Sequence, residues 1–234
     1  MKIANAWLFC FVLGLVLIIF SVIIFPLFPQ EMAEPIGLES PVIAFEFART
    51  QADLIAVFGP LDDPLRAERI QAMDQGNQLD MAYMAVYTAF IGLFFYAAYL
   101  KAGTTVWLVF MIVAVLAGAA DAIENLILFS ITDNLEIAHG LDWLAYPVHL
   151  KFLSLYICAF GVGMFLKGGD NPVSRMFGIF LLVLSPFAVA SIFTGFATAA
   201  TVVITLAWLA QLFISLTQYR IEKRAAATLL EDNN

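Results

Sequence analysis

Asp121, Glu124 and Asn125 stand in the stretch AGAADAIENLILF (117–129), inside an otherwise apolar run from Thr104 to Ile131. That run is long enough to cross a bilayer. Spacing of i, i+3, i+4 puts the three polar groups on one helical face, which Ala117 and Leu128 extend. Two carboxyls one turn apart in hydrocarbon suit cation binding, proton carriage or general-base work. The preceding turns, AVLAGAA, are small residues that let a neighbouring backbone approach, so this face is expected to pack on protein.

The next apolar run, DWLAYPVHLKFLSLY, supplies a partner. Lys151 lies nine residues after Asp142, roughly 13 Å down a helix. Asp121 and Glu124 lie roughly 15 Å and 10 Å from the same interface, counted back from Ile131. Consecutive antiparallel helices therefore bring Lys151 opposite the acid pair. An isolated charge at that depth costs about 3 kcal/mol or more, and pairing is how a chain tolerates it. Two carboxyls and one ammonium still leave surplus negative charge, to be offset by a proton, a cation or water. His149 is one turn nearer the surface, and Pro147 loosens that turn. On the preceding run Asp80, Tyr83 and Tyr87 share a face and begin at the same interface. Together these groups are expected to line a polar cavity open to that side.

Plainer roles compete with these. An intramembrane ion pair also serves as static glue between helices, and a lone His149 is more often an interfacial hydrogen-bonding residue than a ligand. No ligand spacing supports a metal site from Asp121, Glu124 and His149, and neither metal nor cofactor is expected. Thr194, Thr198, Thr201, Thr205 and Trp208 form a mild polar stripe, read mainly as packing because Thr bonds readily to its own helix. Lys151 and Ser154 share a face, but a lone K-x-x-S is weak support for a nucleophile dyad. P-loop, H-E-x-x-H, G-x-S-x-G and C-x-x-C motifs are all lacking, and only two histidines occur. Catalytic residues are therefore not assigned.

The elements that must hold these groups follow from hydropathy. The chain has 234 residues, 62% of them hydrophobic and 13% charged. Its mean hydropathy is +0.91. Continuous apolar runs exclude a closed barrel and give an all-α, polytopic bundle forming one membrane domain over 1–234. Six spans are expected: Ala6–Phe28, Leu79–Leu100, Thr104–Ile131, Asp142–Leu166, Ser174–Thr194 and Thr198–Thr217. The first exceeds a secretory h-region and is read as uncleaved. Cys10 and Cys158 lie in spans without metal-type spacing. Residues 218–234 read as a tail.

Between the first two spans, 29–78 is too long for a plain connection. Ser40-Pro41 starts a helix there and Gly59-Pro60 stops it, with Ile43, Phe47, Leu54 and Phe58 near one face and Glu46, Arg49 and Asp53 elsewhere. A second short helix is expected from Pro64 to Met73. Lys2, Lys101, Lys167, Arg175, Arg220, Lys223 and Arg224 share one side of this topology, against Arg49, Arg66 and Arg69 in the long loop. The positive-inside rule then puts both termini in the cytoplasm and the helical loop outside the inner membrane. The net charge of −8 is concentrated in that loop, so it marks a side rather than a basic partner. Nucleic acid is not expected as a partner.

The stretches AFEFARTQADLIAVFG, LDMAYMAVYTAF, LAGAADAIENLILF and HLKFLSLY resemble a group of uncharacterised bacterial multi-pass membrane proteins. Those proteins are similar in an outer-loop F-E-x-A helix, an L-D opening of the next span, a D-x-x-E-N helix and a following K-F. The resemblance covers roughly 43–155 and brings no activity with it. It implies that Glu46, Asp80, Asp121, Glu124, Asn125 and Lys151 belong to one site. The expected function is binding or movement of a small polar or cationic solute, or a proton, through an outward-opening acidic cavity. The alternatives are a membrane-embedded hydrolase or transferase acting on lipid head groups, with Glu124 or Asp121 as base and Lys151 as clamp, and a non-catalytic subunit with a structural ion pair.

Overall fold

Turn chemistry sets the helix boundaries. Gly103 at φ +68° and Gly140 at φ +92° occupy left-handed backbone at two tight connections. Asn171 caps the N–H groups of Val173 and Ser174, with Pro172 at the first helical position. A computed structural model describes residues 3–37 and 39–231. Lys2, counted above in the charge asymmetry, lies outside them. Among the described residues there are eight α-helices: α1 (Ile3–Ile24), α2 (Pro41–Glu46), α3 (Gln51–Phe58), α4 (Arg66–Ala102), α5 (Val106–Asp133), α6 (Leu141–Lys167), α7 (Pro172–Ser191) and α8 (Ala197–Glu231). Among the described residues there is no strand. Six helices, α1 and α4–α8, are long and apolar enough to cross a membrane, so the protein is an all-α multi-pass bundle.

Three expectations on local structure are corrected. The loop helix is two helices, α2 and α3, because Thr50 forms a capping box. Its hydroxyl accepts from the Asp53 N–H at 3.2 Å, and Asp53 accepts from the backbone of Arg49 and Thr50 at 2.8 Å each. The break turns α2 independently of α3 and buries Glu46, which a single continuous helix placed off the apolar face. Second, no separate helix ends at Met73: α4 runs unbroken for 37 residues. Its stretch RAERIQAMDQGNQLD has no proline and one glycine, Gly76, on which the Phe28 ring sits. Third, α8 continues through much of the expected tail.

In the bundle, α4, α5 and α6 pack in sequence. Helix α1 packs on α4, α8 closes the ring between α1 and α6, and α7 lies against α6 and α8. Close approach depends on small residues. A Cβ on Gly118 of α5 would sit 2.1 Å from Thr88 Oγ1 of α4. One on Gly163 of α6 would sit 2.9 Å from the Gly178 carbonyl of α7. The end of the bundle that carries the chain termini is filled by Trp7, Phe94, Phe95, Trp107, Phe110 and Phe165, whose rings meet edge-on or stacked. The opposite end is closed by α2 and α3, joined to each other through Phe45 on Phe58 and anchored to α6 through Phe47 on Phe152. This asymmetry leaves the polar groups in the loop-side half.

Candidate functional site: an acidic cluster on a half-open cavity

Four helices each place side chains at one depth. In α5 the i, i+3, i+4 spacing turns Asp121, Glu124 and Asn125 together into the bundle. Lys151 projects from α6, Asp80 and Tyr87 from α4, and Glu46 from the end of α2. Exposure is 4% for Asp121, 1% for Glu124, 6% for Lys151 and 8% for Glu46, so bulk water reaches none of them freely.

Lys151 Nζ is the hub. It lies 2.6 Å from Glu124 Oε1, 3.1 Å from Glu46 Oε2 and 3.4 Å from Asp121 Oδ1. Only the contact to Glu124 has hydrogen-bond geometry. Asp121 accepts instead from the Tyr87 hydroxyl, at 2.6 Å to Oδ2. Asn125 donates to Asp80 Oδ2 at 2.7 Å, so the amide ties α5 to α4. Two carboxylate oxygens, Glu46 Oε2 and Glu124 Oε2, are buried without a hydrogen-bond donor. The cluster thus sets four carboxyls against one ammonium. A surplus of that size is not sustained at low dielectric without a proton or a further cation.

Glu46, Asp80, Tyr87, Asp121 and Lys151 line one end of a half-open cavity of about 600 Å³. Glu124 does not line it: it stands behind Lys151, as a support for the ammonium. Acid–base work on a bound molecule therefore falls to Asp121, Asp80 or Glu46. The aromatic face of Trp208 stacks on Tyr87, with centroids 5.5 Å apart. Tyr83 bonds Ser21 of α1 at 3.1 Å.

His149 stands apart from this group. Its Nε2 lies 3.5 Å from Arg49 Nη2, and its ring packs near Phe47 and Phe193. Two positions from Lys151 on α6, roughly half a turn round the helix, it faces the α2–α3 junction rather than the carboxyls. Among the described residues no three histidine, cysteine or carboxylate side chains form a metal-binding group.

Sequence reasoning passed over two residues. Asn77 is 1% exposed, lines the cavity, and has an unpartnered Nδ2. Its signal was legible: Asn77, Asp80, Tyr83 and Tyr87 follow helical spacing once α4 is seen to be continuous. Glu39 caps α8. Its carboxylate accepts from the N–H groups of Ala197 and Thr198 at 2.8 and 2.7 Å, and from the Thr198 hydroxyl. No local pattern joins residues 39 and 198. The threonine stripe proves to do two things. Thr201 and Thr205 bond back to their own helix, and Thr198, Thr201, Thr205 and Trp208 also face the cavity. Compared with known proteins, the chain matches no family model, no curated protein and no solved structure.

Proposed function

We propose that the chain binds a small cationic group at the Glu46–Asp80–Asp121–Lys151 end of the cavity, and that binding exchanges the cation for a proton. One observation carries this: three carboxyls and a single ammonium meet on a cavity wall deep between apolar helices, with a fourth carboxyl, Glu124, behind the ammonium. An unliganded cluster lowers its surplus charge by holding a proton among the carboxyls, as a coupled unit. A ligand cation arriving at Asp121 and Asp80 supplies the same neutralisation and releases that proton. Lys151 is the fixed counter-ion, Asn125 orients Asp80, and Tyr87 orients Asp121. The loop carrying α2 and α3 faces outward from the inner membrane in this proposal, so that the ligand comes from outside the cell.

The test is calorimetry with methylammonium on the purified chain in nanodiscs, at pH 6 and pH 8. Affinity rises with pH, because the proton competes with the cation. Binding at pH 6 releases protons, seen as a heat that changes with the ionisation enthalpy of the buffer. Asp121→Asn weakens binding at least tenfold. A wild-type chain that binds no cation at either pH leaves the cluster a structural ion pair, and the proposal fails.

A further inference from the structure

The cavity is larger than a small cation needs, and most of it is apolar. Beyond the carboxyl end its walls are Leu17, Ile18 and Val22 of α1, Phe90 of α4, and Ile204 and Leu209 of α8. Several of these are also the bundle's outer surface. Val22 is 71% exposed, Ile18 41% and Leu209 40%. A residue that both lines a cavity and faces lipid marks a lateral opening. Helices α1 and α8 meet below it, where Ser215 Oγ lies 3.1 Å from Cys10 Sγ and a Cβ on Gly14 would lie 2.7 Å from Leu212 Cδ1. From Gly14 toward Ser21 the cavity occupies the space between them. That is an apolar slot roughly 10 Å long, at 1.5 Å per helical residue.

We infer that the ligand is an amphiphile: a protonated amine head among Asp80, Asp121 and Glu46, and a hydrocarbon chain in the slot between α1 and α8, reached sideways from the bilayer. The assignment rests on the acidic cluster being a cation site and names what carries the cation. Charge complementarity fixes the head, since an anionic head would meet surplus carboxylate. Stacked Tyr87 and Trp208 put aromatic faces beside the carboxyls, where an ammonium is favoured. Asn77 Nδ2, buried and unpartnered on the same wall, is a donor free for a polar atom next to the amine. The slot wall is mainly apolar, and the hydroxyls of Thr201 and Thr205 on it are already bonded to their own helix. It offers an alkyl chain the contacts that it makes in lipid, and the volume lies within the range that buries a ligand of some twenty heavy atoms or more.

Dodecylamine, butylamine and dodecanol distinguish head from chain. Binding is measured by quenching of tryptophan fluorescence with brominated forms of each probe, on the full chain in phosphatidylcholine nanodiscs. Affinities are taken per mole fraction in the membrane for the two long probes, so that partitioning does not mimic a site. Dodecylamine binds at least tenfold tighter than dodecanol. Ile18→Phe and Thr205→Phe, at exposed slot positions that tolerate bulk, remove the quenching by dodecylamine and leave the methylammonium affinity unchanged. If these variants weaken neither probe, or if butylamine competes as well as dodecylamine on the same basis, the chain has no seat in the slot and the amphiphile is wrong while the cation site stands. If dodecanol binds as tightly as dodecylamine and methylammonium does not bind, the cation site itself is wrong.

Discussion

At the scale of single residues, Lys151 decides whether the interior is tolerable. It stands within 3.4 Å of three carboxyls, and among the described residues it is the only cation in ion-pair contact with them. Lys151→Met leaves them uncompensated and costs about 3–5 kcal/mol, the usual loss on breaking a buried pair from one side. Lys151→Met with Glu124→Gln recovers part of that, more than with Asp121→Asn, because Glu124 holds the shorter contact and Asp121 has Tyr87 as a second partner. Unfolding of the four variants of each cycle in detergent measures the coupling, and additive losses reject the pairing. The surplus acid gives a second expectation. Infrared spectra at neutral pH show a protonated carboxyl band, and Glu46→Gln reduces it. A spectrum without the band means that every acid is ionised and that proton exchange plays no part. Much of this was legible in sequence: two helices joined by a short turn, with polar residues at matched depth, meet at those residues. Glu46 was reached only through the resemblance and not from the helical pattern, because its inward turn depends on the Thr50 cap that splits α2 from α3, and the apolar pattern alone runs straight through that break.

At the scale of elements, the site is held by helix pairs whose spacing glycine permits. Tyr87–Asp121 and Asp80–Asn125 both join α4 to α5, and Gly118 lies against Thr88 between these helices. Gly118→Val separates them and costs about 1–3 kcal/mol, as overpacking does elsewhere. It also weakens methylammonium binding without touching the ligand. Gly92→Ala is the control on the same helix pair, since its nearest neighbour atom would be 3.8 Å away. Equal effects of the two substitutions on thermal stability would reject spacing as the cause. The α3–α4 turn behaves differently. Gly59 is left-handed at φ +97°, and Asp63 accepts from Arg69 at 2.8 Å and from the Leu65 N–H at 2.8 Å. These bonds hold the Asp63 carboxyl below its ordinary range, Arg69 being the larger cause. A carboxyl so depressed supports the turn above its unfolded pKa and loses that support as pH falls through the folded value. Amide exchange at residues 59–69 is therefore slower at neutral pH than in acid once intrinsic rates are corrected, and Asp63→Asn removes the difference. Spans, caps and short turns were legible from hydropathy, glycine and proline. The Glu39 cap on α8 was not, since a bond across 158 positions leaves no mark in local spacing.

At the scale of the whole molecule, one side of the bundle carries the long acidic loop and the other carries most of the basic residues near helix ends. Lys101, Lys167, Arg175, Arg220, Lys223 and Arg224 lie opposite α2 and α3, while Arg49, Arg66 and Arg69 are engaged within the loop. Arg66 reaches Glu136 at 2.6 Å and Arg69 reaches Asp63, so two of the three loop arginines carry an acidic partner. The acidic cluster lies in the loop-side half of the bundle, so orientation also decides which leaflet and compartment supply the ligand. Cysteine at Gln51 or Gln75, both exposed in the structure, reports it directly in a background lacking Cys10 and Cys158, which are buried. An impermeant maleimide labels both positions in intact cells when the loop is outside, and a cysteine at Arg220 on the other side is labelled only after the cells are opened. The reverse pattern would put the acidic cluster in contact with the cytoplasm. Proton exchange would then run against the cytoplasmic pH, and any cationic ligand would come from inside the cell.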